Sequence, residues 1–227
     1  MLTKVRDVMT FSAVLWDMDG TLIDSEPIWG DSQRKLMDRF GYRWTDLDQE
    51  HCLGGPLSRV GQYMKMKCNS DESSEFFVEE LVKIQSENIA GKVEFMPGAF
   101  QLLEEMATQR IPMALVSASP RILVDATLDR VPSHLLVTSI AAEDVNHIKP
   151  HPEAYMLGAE RLGVSPDNVL VIEDSYTGVK SGLASGGHVL ALGGPYDHHS
   201  RLRVVPSLSN LNFDSICHLW SGDDSTT

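Results

Sequence analysis

Apolar residues follow two periods along this chain. Short unbroken runs end in acidic or hydroxyl residues, and between them apolar positions recur at helical spacing. Phe11-Ser-Ala-Val-Leu-Trp16 is such a run; it stops at Asp17 and reads as a buried parallel strand. Ile111–Val116, Leu135–Ile140, Val169–Ile172 and Val189–Leu192 read the same way. Helices are expected between them over Pro97–Arg110, Pro120–Arg130, Pro152–Leu162 (closed by Gly163) and Tyr176–Ala184. Strands alternating with helices imply right-handed crossovers and a parallel sheet, so the fold class is α/β.

One stretch breaks the alternation. Ser25 reads as an N-cap, with Glu26 and Pro27 in the first turn. Ile28, Trp29, Leu36, Met37 and Phe40 then recur at helical spacing until Gly41. Residues 42–94 stay helical and polar, most clearly over Asp71–Ile89, where Phe77, Leu81 and Ile84 share one side. Gly54-Gly55-Pro56 marks a turn. The division that follows is a core of residues 1–24 and 94–220 with an inserted helical domain over 25–93. The tail Ser221-Gly-Asp-Asp-Ser-Thr-Thr227 is expected to be disordered.

Composition narrows the function classes. At 227 residues the chain can bury a sizeable core. Its 19 basic against 32 acidic residues give a net charge of −13, which argues against nucleic acid and against an anionic membrane as partners. A small phosphorylated metabolite stays compatible, because the local field of a pocket can oppose the global charge. Cys52, Cys68 and Cys217 form no CxxC pair, so a disulfide scaffold and a structural zinc site are not expected. No apolar run reaches bilayer length, and Met1–Thr10 lacks a signal-peptide core, so a cytoplasmic protein is expected. A monomer is the default expectation, with no residue arguing for it.

In a parallel α/β sheet, ligands bind at the carboxyl edge of the strands. Four segments at that edge carry chemistry: Asp17-Met-Asp-Gly-Thr-Leu-Ile-Asp24, Ser117-Ala-Ser119, Lys149-Pro-His-Pro152 and Glu173-Asp174-Ser175. Asp17 and Asp174 can hold Mg²⁺ through hard oxygen ligands. A carboxylate can attack phosphorus and form an aspartyl-phosphate. Asp19 can protonate the leaving oxygen and then activate water. The Ser117 hydroxyl, the Ala118 N–H and the Lys149 ammonium can hold the remaining phosphoryl oxygens. Asp17, Asp19, Glu173 and Asp174 outnumber the positive charge of Mg²⁺ and Lys149, so one carboxyl is expected to carry a proton, and Asp19 is the one assigned.

These motifs resemble the haloacid-dehalogenase superfamily of phosphotransferases. Asp17-x-Asp-Gly-Thr-Leu-x-Asp is similar to its first signature, and Ser117, Lys149-Pro and Glu173-Asp174-Ser175-x-x-Gly178 follow in its order. The resemblance runs from about Phe11 to Leu211. Asp24-Ser-Glu-Pro27, Lys149-Pro-His-Pro152 and Glu173-Asp-Ser175 look like the sugar-phosphatase and β-phosphoglucomutase branch. That resemblance implies a Rossmann-like core with a helical cap inserted after the first motif. It implies Asp17 as nucleophile and metal ligand, and Asp19 as acid/base that also gives a backbone carbonyl to Mg²⁺. It implies Ser117 with the Ala118 N–H as phosphate clamp, Lys149 as the cation and Asp174 as the third protein ligand. Glu173 is either a further ligand or a neighbour of one. Trp16, Ala118 and the Gly186-Gly187 pair depart from the branch's commoner residues.

The expected activity is Mg²⁺-dependent hydrolysis of small sugar or polyol phosphates through an aspartyl-phosphate. The alternatives are a phosphosugar mutase of the β-phosphoglucomutase kind and a non-catalytic phosphate-binding protein. Dehalogenase chemistry has no use for Asp19 or Mg²⁺. Arg59 is read as a surface arginine, with a reach toward substrate as the other reading.

Overall fold

The computed structural model describes residues 9–53 and 56–221. Most of the expected tail, from residue 222 on, and the two glycines of the expected turn at 54–56 lie outside them. In chain order the elements begin with β1 (Ala13–Trp16), β2 (Ile23–Asp24), α1 (Glu26–Asp38), α2 (Asp46–Cys52), α3 (Leu57–Cys68), α4 (Ser74–Lys92) and β3 (Glu94–Phe95). There follow α5 (Ala99–Thr108), β4 (Met113–Val116), α6 (Arg121–Leu128), β5 (Thr138–Ile140), α7 (Glu153–Arg161), β6 (Val169–Glu173), α8 (Tyr176–Ala184), β7 (His188–Leu192), β8 (Leu202–Val205) and α9 (Phe213–His218).

The described chain divides into two compact units. The first takes the residues up to Ile23, Phe95–Ser119 and those from Val131 on. The second takes Asp24–Glu94 and Pro120–Arg130. The sequence pattern marks only 25–93 as inserted, yet α6 groups with the helical unit because it packs against α4. The chain first leaves the sheet unit within β2 and returns to it within β3, two strands that pair as a two-stranded sheet, and it crosses again on either side of α6.

In the first unit, six strands lie in the order β5-β4-β1-β6-β7-β8 with every described pairing parallel. β1, β4 and β6 are buried along their whole length, which is why they read as unbroken apolar runs. Leu15, Val116, Tyr155, Val171 and Val179 share one core cluster. Register fixes the working edge: Trp16 lies opposite Leu115 on one side and Ile172 on the other. Asp17, Ser117 and Glu173 therefore emerge at the same end of adjacent strands. The pattern reading stops at Val189–Leu192, and the sheet carries one more strand. β8 escaped because only Leu202 of its four residues is buried, as on an edge, and Arg203 interrupts the apolar positions.

The second unit buries Leu36, Met37, Trp44, Val60, Met64, Phe77, Leu81 and Ile84 among its helices. Ser25 does sit at the N-cap of α1, but its side chain makes no capping hydrogen bond there. The capping box belongs instead to Thr45 and Asp48 at the start of α2. Arg59 donates to the main-chain oxygens of His51 (3.1 Å) and Leu53 (3.4 Å), closing the end of α2.

Asp48 is the polar centre of this unit. It is only 2% exposed and accepts from Thr45 N (2.9 Å), Thr45 Oγ1 (2.6 Å) and Tyr63 Oη (2.8 Å), with Lys67 Nζ at 3.0 Å. Burial works to raise its pKa, but the Thr45 and Lys67 hydrogen bonds outweigh it and hold the carboxyl well below the usual range. A depressed native pKa gives stability that is full above the unfolded value, near 4, and is lost as the pH falls through the native one. Asp48→Ala is expected to cost about 1–2 kcal/mol in urea unfolding, because it takes the shared acceptor from Thr45, Tyr63 and Lys67, which are exposed or half-buried and can turn to water. Asp48→Asn is expected to flatten the loss of stability below about pH 4. Unchanged acid sensitivity in that variant would remove Asp48 from this role.

Candidate active site

Asp17 leaves the end of β1, and Glu173 and Asp174 leave β6 beside it. Lys149 comes from the loop between β5 and α7. Its ammonium is enclosed by Asp17 Oδ1 at 2.5 Å, Glu173 Oε1 at 2.8 Å, the Val116 main-chain oxygen at 2.9 Å and the Tyr155 ring at 4.7 Å. Burial alone would lower the Lys149 pKa, but the facing Asp17 and Glu173 carboxylates overcome it and keep the ammonium protonated.

Glu173 is fully buried and uses both its oxygens. Oε1 accepts from Lys149 and from Tyr155 Oη at 2.9 Å, while Oε2 accepts from Ser175 N (2.9 Å) and Ser175 Oγ (3.0 Å). Burial opposes its charge, and Lys149 with these donors more than compensates, so its pKa lies below the usual value. Gly178 explains its place in the motif: a Cβ there would overlap the Glu173 carboxylate. Gly20, at φ +80°, has the same role against Asp174 and needs the left-handed backbone as well.

The other carboxylates are less well compensated. Asp17 is pushed upward by burial and by the Glu173 charge. Asp174 is pushed up to about 6, by burial first and Glu173 second. Its Oδ1 accepts from Thr21 Oγ1 at 3.2 Å, and its main-chain oxygen from Tyr196 Oη at 2.9 Å. Oxygens of Asp17, Glu173 and Asp174 lie within 4.8 Å of one another. Ionised, the three carry one negative charge balanced by Lys149 and two left over. A hard divalent cation fits that donor set in both charge and ligand type.

The remaining residues expected at the site lie on the neighbouring loops of the same edge. Asp19 is half-buried, and its Oδ2 accepts from Ser119 Oγ at 2.8 Å. Ser117 is buried, and its Oγ accepts from Ser119 N at 2.9 Å. Ala118 is exposed at the turn between them. Thr21, Ser119, Tyr155 and Tyr196 join the site without having been singled out from the sequence. Thr21 and Ser119 lay inside the motifs and could have been found there. Tyr155 and Tyr196 carry no spacing signal, because each reaches the site through tertiary packing. Tyr155→Phe keeps the ring and removes one hydrogen bond to a buried charge, so it is expected to lower the unfolding free energy by about 1.5–3 kcal/mol in urea. An unchanged value would mean the hydroxyl does not hold Glu173.

Comparison with known proteins covers most of the chain. The haloacid dehalogenase-like hydrolase family matches residues 14–192. Hexitol phosphatase A of Escherichia coli (strain K12) is 32% identical over 198 residues, 83% of this chain and 86% of that protein. A phosphorylated carbohydrates phosphatase of Thermotoga maritima is 30% identical over 179 residues, 77% of this chain and 81% of the other. The crystal structure of a proposed beta-phosphoglucomutase from Thermotoga maritima matches with a TM-score of 0.71 at 26% identity, covering 83% and 88% of the two chains. The family match runs from β1 to β7 and so takes in every strand that carries the acidic cluster: the chain belongs to the haloacid dehalogenase-like hydrolases.

Proposed function

We propose that this chain is a Mg²⁺-dependent phosphomonoesterase acting on small sugar or polyol phosphates. The observation that carries the reading is the buried Asp17 carboxylate, 2.5 Å from the Lys149 ammonium and grouped with the oxygens of Glu173 and Asp174. The names of the similar phosphatases, which act on hexitol phosphates and phosphorylated carbohydrates, support the substrate class.

Asp17 attacks phosphorus in line with the ester oxygen. The P–O bond to the leaving alcohol breaks as an acyl phosphate forms on Asp17. Asp19 gives its proton to the departing alkoxide, then takes one from the water that attacks the phosphoenzyme. Ser117 Oγ, the Ala118 N–H and Lys149 hold the other phosphoryl oxygens. Asp17, Asp174 and the Asp19 carbonyl would hold Mg²⁺, which supplies neutralising charge at the transferred group. Both Glu173 oxygens accept hydrogen bonds, from Lys149, Tyr155 and Ser175. We therefore assign it first to holding Lys149 in place beside the metal ligands.

The test is phosphate release from a panel of hexose, hexitol, pentitol and nucleoside monophosphates with Mg²⁺. Hexose or hexitol esters are expected to lead, and EDTA to stop turnover. No release from any ester would overturn the reading. The likeness to the beta-phosphoglucomutase structure favours one alternative. Isomerisation of a hexose phosphate primed by a trace of bisphosphate, without phosphate release, would select it.

A further inference from the structure

Among the described residues, one group outside the acidic cluster also gathers metal-ligating atoms: His147, His151 and Glu153. They lie on the loop that carries Lys149 and on the first turn of α7. His147 Nδ1 is 2.9 Å from Glu153 Oε2, and His151 Nδ1 is 3.7 Å from the same oxygen. The two imidazole centroids are 4.6 Å apart with planes inclined at 37°. All three ligand atoms fall within 4.8 Å of one another. A tetrahedral Zn²⁺ with bonds of about 2.0–2.2 Å spaces its ligand atoms about 3.3–3.6 Å apart. The observed separations of 2.9 and 3.7 Å bracket that spacing.

The group is built rather than loose. Glu153 Oε1 accepts from Asn146 N at 2.8 Å, and Oε2 from His147 N at 3.1 Å, so the carboxylate is fixed by the loop backbone. The Glu153 N–H donates to His151 Nδ1 at 3.3 Å, which holds that ring beside the carboxylate; an ion would take over this lone pair from the N–H. The His151 main-chain oxygen is anchored by Ser181 Oγ at 2.7 Å. The imidazoles themselves stand open to solvent, at 66% and 50% exposure, leaving room for water as a fourth ligand.

We propose that His147, His151 and Glu153 form a second metal site, one that takes Zn²⁺ or a neighbouring late transition ion. Two imidazoles and one carboxylate favour such ions, whereas Mg²⁺ prefers the all-oxygen acidic cluster. The ion would replace the His147 Nδ1 contact with Glu153. It would tie together positions 147, 151 and 153, which straddle the active-site Lys149.

The experiment titrates Zn²⁺ into the full chain by calorimetry, with Mg²⁺ in excess. One Zn²⁺ per chain is expected. His147→Ala and His151→Ala should each weaken it at least about tenfold, as loss of a ligand requires. Both rings are at the surface, and an unchanged melting temperature confirms that the variants fold. Asp174→Asn should leave Zn²⁺ uptake intact, which separates this site from the proposed Mg²⁺ site. Absence of saturable uptake, equal uptake by the double His variant, or uptake abolished by Asp174→Asn would each overturn the proposal.

Discussion

Asp17→Asn is expected to abolish phosphate release while leaving the fold intact. The change is nearly isosteric and keeps an oxygen that can accept from Lys149 Nζ, which now stands at 2.5 Å. It removes the one carboxylate that can bond to phosphorus from this position. Loss of a covalent nucleophile costs on the order of 10⁴–10⁶ in kcat. An amide also removes one anionic ligand, so Mg²⁺ affinity should fall in the same variant. Turnover within about tenfold of the unmodified protein would place the nucleophile elsewhere.

Lys149→Met should injure both stability and rate, and a second substitution separates the two. The Lys149 side chain is 4% exposed, and its ammonium balances charge on Asp17 and Glu173 at once. Deleting one member of a buried ion group leaves the others uncompensated and costs about 3–5 kcal/mol. Lys149→Met/Glu173→Gln removes one positive and one negative charge together, so urea unfolding should recover a good part of that loss. Turnover should not recover, because no cation remains to hold the phosphoryl group, a loss of about 10²–10³ in kcat. Equal stability of the single variant and the parent would refute the ion-group account. Full activity in the double variant would deny Lys149 a part in the reaction.

The core was legible where burial is two-sided. β1, β4 and β6 lie inside the sheet, so their residues had to be apolar on both faces and stood out as runs. Edge position explains why β8 did not stand out. The acids at the strand ends were legible because an apolar run that stops at a carboxylate places that carboxylate at the sheet's edge. What lay out of reach was the allocation of hydrogen bonds. Glu173 and Asp174 are adjacent in sequence and look alike, yet Glu173 spends its lone pairs on Lys149, Tyr155 and Ser175, while Asp174 receives one side-chain donor, Thr21. That difference comes from α7 and the turn into α8, which no local spacing encodes. Asp48 is the same case in the helical unit. It reads as one acid in a polar stretch, and only the packing of α2 against Tyr63 and Lys67 makes it a buried hub.

Rapid acid quench of the enzyme during turnover of a phosphorus-labelled sugar phosphate, followed by peptide mapping, interrogates the chemistry at its first step. The account predicts label on the peptide bearing Asp17, acid-stable and released by hydroxylamine as an acyl phosphate should be, and none in Asp17→Asn. Steady turnover with label on no peptide, or on a peptide that lacks Asp17, would contradict it.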